Sequence, residues 1–291
     1  MSPAAHKAPE REARPFLKWA GGKRQLVPKL RKLAPARFGT YFEPFLGGGA
    51  LFFALVGDGR IQKHKAVLSD INAELVKTYE AIRDDVEAVI ARLHEHDRQF
   101  KMPAEGLDAD YYYKVRASSP RLVATRAARM IFLNRTCFNG LYRVNARGQF
   151  NVPLGRYKNP TICDPDNLKA VARALEKAQL REQGYESVLE RAARGDLVYF
   201  DPPYVPVSAT AKFVSYGKDG FDMQDQERLA GVFRALAEKG VQVMLSNSDT
   251  PAVRRMYRGF RLERVEARRS VNSRKDRRGP VGELVVMSWE G

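Results

Sequence analysis

Apolar residues along this chain fall into short continuous runs near both ends and into helical spacings in the middle. Leu197-Val198-Tyr199-Phe200, bounded by Gly195 and by two prolines, is too short for a helix and reads as a buried strand that ends abruptly. Thr40-Tyr41-Phe42 is a second short strand; it runs through Glu43-Pro44-Phe45-Leu46 into Gly47-Gly48-Gly49, and the apolar run Ala50 to Val56 follows as a helix. Further strands are expected at Ala66 to Ser69, Val241 to Leu245 and Glu283 to Trp289, and helices at Leu26 to Leu33, Asn72 to Ile82 and Gln224 to Glu238. From about residue 81 to 165 this strand and helix alternation stops. Val86 to Leu93 and Leu122 to Leu133 keep helical periodicity, and then Asn139-Gly140 and Arg147-Gly148 mark turns between short extended pieces. The expected architecture is α/β: a Rossmann-like sheet from residues 15–80 and 166–291, interrupted by a mainly helical insert, 81–165, that carries a β-hairpin. Residues 1–14, rich in Ala, Pro and charge, are expected to be a disordered leader.

Strand ends are where open α/β sheets keep their ligand crevice, so the residues found there carry the candidate chemistry. Asp201-Pro202-Pro203-Tyr204 ends one strand. Two prolines fix φ and remove two N–H donors, leaving carbonyls that can only accept. A carboxylate, a rigid acceptor backbone and an aromatic face together suit a planar NH2 group attached to a ring. The glycine loop departs from the dinucleotide fingerprint, because Phe52 stands where a third glycine is expected. It therefore suits a nucleoside whose other half is not a pyrophosphate. Asp70, 23 residues beyond Gly47, is placed to accept hydrogen bonds from ribose hydroxyls. Near the start, Trp19 lies beside Gly21-Gly22 and between Lys18 and Lys23, a loop suited to ligand contact.

Charge adds a partner. Fifty Lys and Arg against 34 Asp and Glu leave a formal charge of +16, which points to a polyanion, most simply nucleic acid. Residues 133–160 interleave Arg, Asn and aromatic side chains, the mixture that supplies base-edge readers, phosphate clamps and wedges. Arg268 to Gly279 carries six further positive charges and reads as a phosphate-contacting arm, and Ser208 to Phe221 as a flap over the crevice. Two cysteines, Cys137 and Cys163, with no signal segment and no long apolar run, suggest a cytosolic protein with free thiols and no membrane partner. His94 and His96 lack partners at ligand spacing and read as surface residues, with no metal expected.

Taken together, Leu17 to Lys23, Glu43 to Gly49, the Ser69-Asp70-Ile71-Asn72 turn, Phe150 to Lys158 and Asp201 to Tyr204 resemble, in the same order, the N6-adenine DNA methyltransferases of the Dam type (D12 class). The resemblance covers nearly the whole chain from Phe16. It implies a Rossmann-like methyltransferase sheet with an inserted target-recognition domain, S-adenosylmethionine as cofactor and double-stranded DNA as substrate, usually at GATC. It also implies an enzyme of the bacterial or phage nucleoid, expected to be a monomer. Carried over by position, Trp19, Lys23, Phe45, Gly47 and Asp70 would bind the cofactor. Asp201, with Pro202 and Tyr204, would be catalytic, and Asp201 would also touch the cofactor. Lys18 would read the first guanine and Arg143 the last base pair, while Leu141 and Pro153 would contact thymine. Asn139, Arg156, Tyr157 and Lys158 would join the DNA-binding set. The duplex wedge, commonly Tyr, is here Phe138, which keeps the ability to intercalate and loses the hydroxyl's hydrogen bonds.

The expected reaction is methyl transfer to N6 of an adenine flipped out of the duplex, because the target atom is otherwise stacked inside it. Two other readings use the same residues. An Asp-Pro-Pro-Tyr pocket also suits an RNA adenine or a protein glutamine amide, and a chain of this kind could be a DNA-binding regulator without activity. The Arg-aromatic insert favours duplex DNA over the former, and the intact motif and glycine loop oppose the latter.

Overall fold

The computed structural model describes residues 11–19, 25–102, 107–205, 221–267 and 281–290. Its strands are β1 (Tyr41–Glu43), β2 (Ala66–Asp70), β3 (Ala178–Glu182), β4 (Leu197–Phe200), β5 (Gln242–Ser248), β6 (Arg261–Ala267) and β7 (Val281–Met287). They form one sheet in the order β3-β2-β1-β4-β5-β7-β6, in which the first five run parallel and β7 lies antiparallel between β5 and β6. This is a Rossmann-like, doubly wound α/β sheet. β1 sits at the switch point, with Tyr41 opposite Ala66 on one side and Leu197 on the other. Successive strands depart from it in opposite directions, which opens a crevice beyond the carboxyl ends of β1 and β4.

The continuous apolar run of β4 has a physical reason, since the strand is covered on both faces. Leu197 and Tyr199 point into one cluster with Tyr41, Leu68 and Met244. Val198 and Phe200 point into the other, with Phe42, Leu245 and the Leu229 and Phe233 side chains of the helix α9 (Met223–Glu238). All four residues are buried.

The remaining helices are α1 (Val27–Leu33), α2 (Ala50–Gly57), α3 (Ala73–Asp84), α4 (Val86–Lys101), α5 (Ala109–Ala117), α6 (Val123–Thr136), α7 (Pro165–Leu175), α8 (Val188–Arg191) and α10 (Pro251–Met256). Asn72 caps α3 by accepting from the Leu75 amide at 3.1 Å, and Asp164 caps α7, whose Pro165 takes the first helical position. α6 packs along α3 and α4, and its Phe132 shares one buried cluster with Leu68 of the sheet and with Phe150 and Val152.

Three expectations are corrected. Arg11 to Arg14, assigned to a disordered leader, are in place, with Arg11 and Arg14 paired to Asp164 at 2.9 and 3.2 Å. His96 is half-buried: its Nδ1 lies 2.7 Å from the Tyr111 hydroxyl and its ring stacks on Phe132, and burial pushes it down to about 4. Asn139-Gly140 belongs to a single 3-10 turn after α6, with both residues at positive φ, rather than lying between two extended pieces. The hairpin itself lies around Arg147-Gly148. There the Asn151 amide donates to the Arg143 carbonyl at 3.1 Å and the Asn145 amide to the Gln149 carbonyl at 2.8 Å. Among the described residues no helix is long and apolar enough to cross a membrane.

Candidate active site

The loop after β1 is shaped by its neighbours. Leu46 donates its amide to the Ser69 carbonyl at 3.0 Å, and Gly47 donates its amide to Asp70 Oδ2 at 3.2 Å, so the first loop is tied to the end of β2. Tyr79 of α3 donates its hydroxyl to the Gly47 carbonyl at 3.1 Å. Gly47 is at φ +46°, and a Cβ there would lie 2.7 Å from Trp19 Cδ1, so conformation and space both require glycine. The other Asp70 oxygen accepts from the Asn72 amide at 2.9 Å. Burial pushes the Asp70 carboxyl up, and the backbone N–H groups of Asn72, Gly47 and Ile71 oppose the shift. Phe45 stacks on Tyr185 with ring centres 5.3 Å apart.

Asp201 follows β4 directly, and the segment after it is held from two elements. Gln226 of α9 donates its side-chain amide to the Pro203 carbonyl at 2.7 Å, and its own oxygen accepts from Asn247 Nδ2 at 3.0 Å. Asn247 of β5 in turn accepts from the Val205 amide at 3.1 Å. The Pro203 carbonyl is thus engaged by Gln226. Tyr204 donates its hydroxyl to Glu283 of β7 at 2.8 Å; burial first, then the nearby Asp201 and Glu283 charges, hold its proton on. Beneath this lies Glu43, 2% exposed, accepting from the Tyr41 hydroxyl at 2.8 Å. Burial pushes the Glu43 carboxyl up to about 8; the Asp201 charge adds to the shift and the Tyr41 hydrogen bond opposes it.

A second group of residues adjoins the first through Trp19, which stacks on Tyr142 at 5.6 Å. Lys18 places its Nζ 4.0 Å from the Tyr157 ring centre. Burial, with Arg135 nearby, holds its ammonium below the ordinary lysine range. Phe138 is 47% exposed at the turn after α6, beside exposed Asn139 and half-buried Leu141. Its amide donates to the Pro153 carbonyl at 2.8 Å, which fixes the turn against the returning segment. Arg143 is exposed on the hairpin stem and donates Nε to Asn151 Oδ1 at 2.8 Å. Arg156 and Lys158 are exposed on the same returning segment. Lys18, Phe138, Asn139, Leu141, Pro153 and Tyr157 therefore gather around one turn, while Arg143 stands on the hairpin beyond it.

The family model of the D12 class N6 adenine-specific DNA methyltransferases matches residues 19–271, a span that takes in most of both groups and leaves out Lys18 and Glu283. This chain belongs to that family. The methyltransferase is 40% identical to Type II methyltransferase M1.LlaDCHI of Lactococcus lactis subsp. cremoris, over 95% of each chain. It is also 40% identical to Type II methyltransferase M.MjaIII of Methanocaldococcus jannaschii, over 96% of this chain and all of that one. DNA adenine methylase of Vibrio cholerae is 35% identical over 95% of this chain and 96% of its own length.

Membership in this adenine methyltransferase family implies S-adenosylmethionine as cofactor, and the crevice fits such a group. The Gly47 loop permits close approach, Trp19 and Phe45 offer flat faces, and the half-buried Asp70 carboxylate stands at the neighbouring strand end. Lys23, the expected flap at 208–220 and the basic arm at 268–279 lie outside the described residues. Residue-by-residue reading of the methyltransferase missed Glu43, Asn134, Tyr142, Gln226 and Asn247. Asn247 was the one with a visible signal: the polar Ser246-Asn247-Ser248 closes an otherwise apolar strand.

Proposed function

We propose that this enzyme methylates N6 of an adenine flipped out of duplex DNA, within GATC. The observation that carries this reading is the acceptor pair at the end of β4. Asp201 and Pro202 follow one another directly after β4, on a segment held by Gln226 at the Pro203 carbonyl and by Asn247 at the Val205 amide, and they would offer a carboxylate and a backbone carbonyl as the two acceptors. An exocyclic amine is a poor nucleophile because its lone pair is delocalised into the ring. Accepting both of its hydrogens favours a pyramidal nitrogen, an interaction strongest at the transition state. Tyr204 would stack on the extruded base, its hydroxyl being held by Glu283. Trp19, Lys23, Phe45, Gly47, Asp70 and Asp201 would hold S-adenosylmethionine, with Asp70 taking the ribose hydroxyls. That cofactor supplies an activated methyl group on a sulfonium centre, and the protein's part is orientation and exclusion of water.

On the DNA side, Lys18 would read the first guanine, Arg143 the last base pair, and Leu141 and Pro153 the thymine. Phe138 would wedge between base pairs, and Asn139, Arg156, Tyr157 and Lys158 would complete the contact surface. The insert 81–165 would act as the target-recognition region. The test is transfer of tritiated methyl groups into duplexes containing GATC, into its single-base variants and into the same sequence as RNA. Label in N6-methyladenine confined to GATC is expected. Label on a variant or on RNA overturns the specificity, and tight DNA binding with no label turns the reading to a regulator. Asp201→Ala is expected to abolish turnover while leaving duplex affinity within about threefold, measured by fluorescence anisotropy on protein of unchanged melting temperature.

A further inference from the structure

Asn134 lies at the last turn of α6, is 0% exposed, and makes three hydrogen bonds that join two separate pieces of backbone. Its Oδ1 accepts from the Lys18 amide at 2.7 Å, and its Nδ2 donates to the Lys18 carbonyl at 2.8 Å and to the Gly140 carbonyl at 2.9 Å. One donor and two acceptors surround the side chain, so only this orientation of the amide satisfies all three. The joined pieces also touch directly. Gly140 is at φ +64°, and a Cβ on it would lie 2.5 Å from Lys18 Cβ. The turn bearing Phe138 and Leu141 thus rests on the aliphatic stem of Lys18, whose ammonium lies over Tyr157. Packing alone would be served by an apolar residue, and a buried amide is tolerated only where each polar atom is matched.

We infer that Asn134 is a positioning residue for sequence discrimination: it fixes Lys18 and the Phe138 to Leu141 turn in one frame without touching a base. This rests on the proposed role of Lys18 at the first guanine. A side chain on a flexible stem discriminates only as well as its backbone is held, and errors near 1 Å are enough to lose an oriented contact.

Asn134→Asp keeps the acceptor facing the Lys18 amide and sets a carboxylate against two carbonyls. Gly140→Ala disturbs the same junction from the other side, with no charge introduced. For each variant, kcat/KM is measured on GATC duplex and on duplex altered only at the first guanine, using one preparation for both. The ratio of the two is blind to the fraction of folded enzyme, so a merely structural lesion leaves it unchanged. The expected result is a fall in that ratio of about tenfold or more in both variants, from a rise in KM on GATC, with affinity for unrelated duplex held within about twofold. If Asn134→Asp does not fold, Gly140→Ala decides alone. Lys18→Met separates the two readings. Loss of discrimination in Lys18→Met with full discrimination in the junction variants overturns the role of Asn134. Full discrimination in Lys18→Met itself overturns the reading of Lys18 on which the inference rests.

Discussion

Glu43 keeps its proton in the folded protein well above the ordinary glutamate value of 4.5, up to about 8, because burial disfavours its charge. The folded state therefore binds a proton that the unfolded chain has released across that interval. Stability from this group is fully present below about pH 4.5 and is lost as pH rises through about 8. Asp70, also pushed up by burial, contributes with the same sign. Glu43→Gln is expected to flatten the decline in unfolding free energy between pH 5 and 8, measured by urea titration at four pH values. A decline as steep as in the parent would place the protonated group elsewhere. Residues of this kind show how far sequence reaches. Asp201 and Asp70 were legible because a local motif and a spacing mark them. Glu43 precedes Pro44 on the strand like any strand-end residue, and only the sheet above it and the Asp201 charge beside it make it a buried acid.

Between elements, the segment after β4 depends on α9 and β5 more than on its own prolines. Gln226→Leu would leave the Pro203 carbonyl and the Asn247 amide without their partner, at a cost of about 1–3 kcal/mol. The expected kinetic signature is a lower kcat with KM for S-adenosylmethionine changed less than threefold, since the lesion loosens the acceptor pair rather than the Gly47 loop. Equal loss in both constants would mean that the network supports cofactor binding instead. Buried elements were the readable ones. β1, β2, β4 and β5 carry apolar runs because they lie inside the sheet. β3 and β6 occupy its two edges, where Gln179, Arg181 and Glu182 or Arg261, Glu263 and Arg264 interrupt any apolar pattern. Their place was fixed by pairing with β2 and β7, which periodicity does not encode. Three consecutive tyrosines, Tyr111 to Tyr113, blur the period of α5 in the same way. Asn139-Gly140 is a turn, as its residues signal, but it follows a helix instead of an extended piece, because α6 continues to Thr136.

Across the whole molecule, a formal charge of +16 sets how any duplex is met before its sequence is read. Phosphate contacts release counterions, so affinity for unrelated duplex is expected to fall by about 10³-fold or more between 50 and 200 mM salt. The proposed preference for GATC over its variants should change far less over the same range, since base contacts do not carry that dependence. Binding assays across a salt series test this, and a flat response would place the positive charge away from the DNA. The two proposed ligand regions meet at one aromatic side chain. Only two tryptophans occur in the chain, and Trp19 is the one that lies against Gly47 on one side and stacks on Tyr142 on the other. Its emission is consequently a built-in optical gauge: cofactor entering beside Gly47 and DNA displacing the turn beyond Tyr142 would each alter the same signal. With Trp289→Phe removing the background, both ligands can be titrated in the unlabelled enzyme.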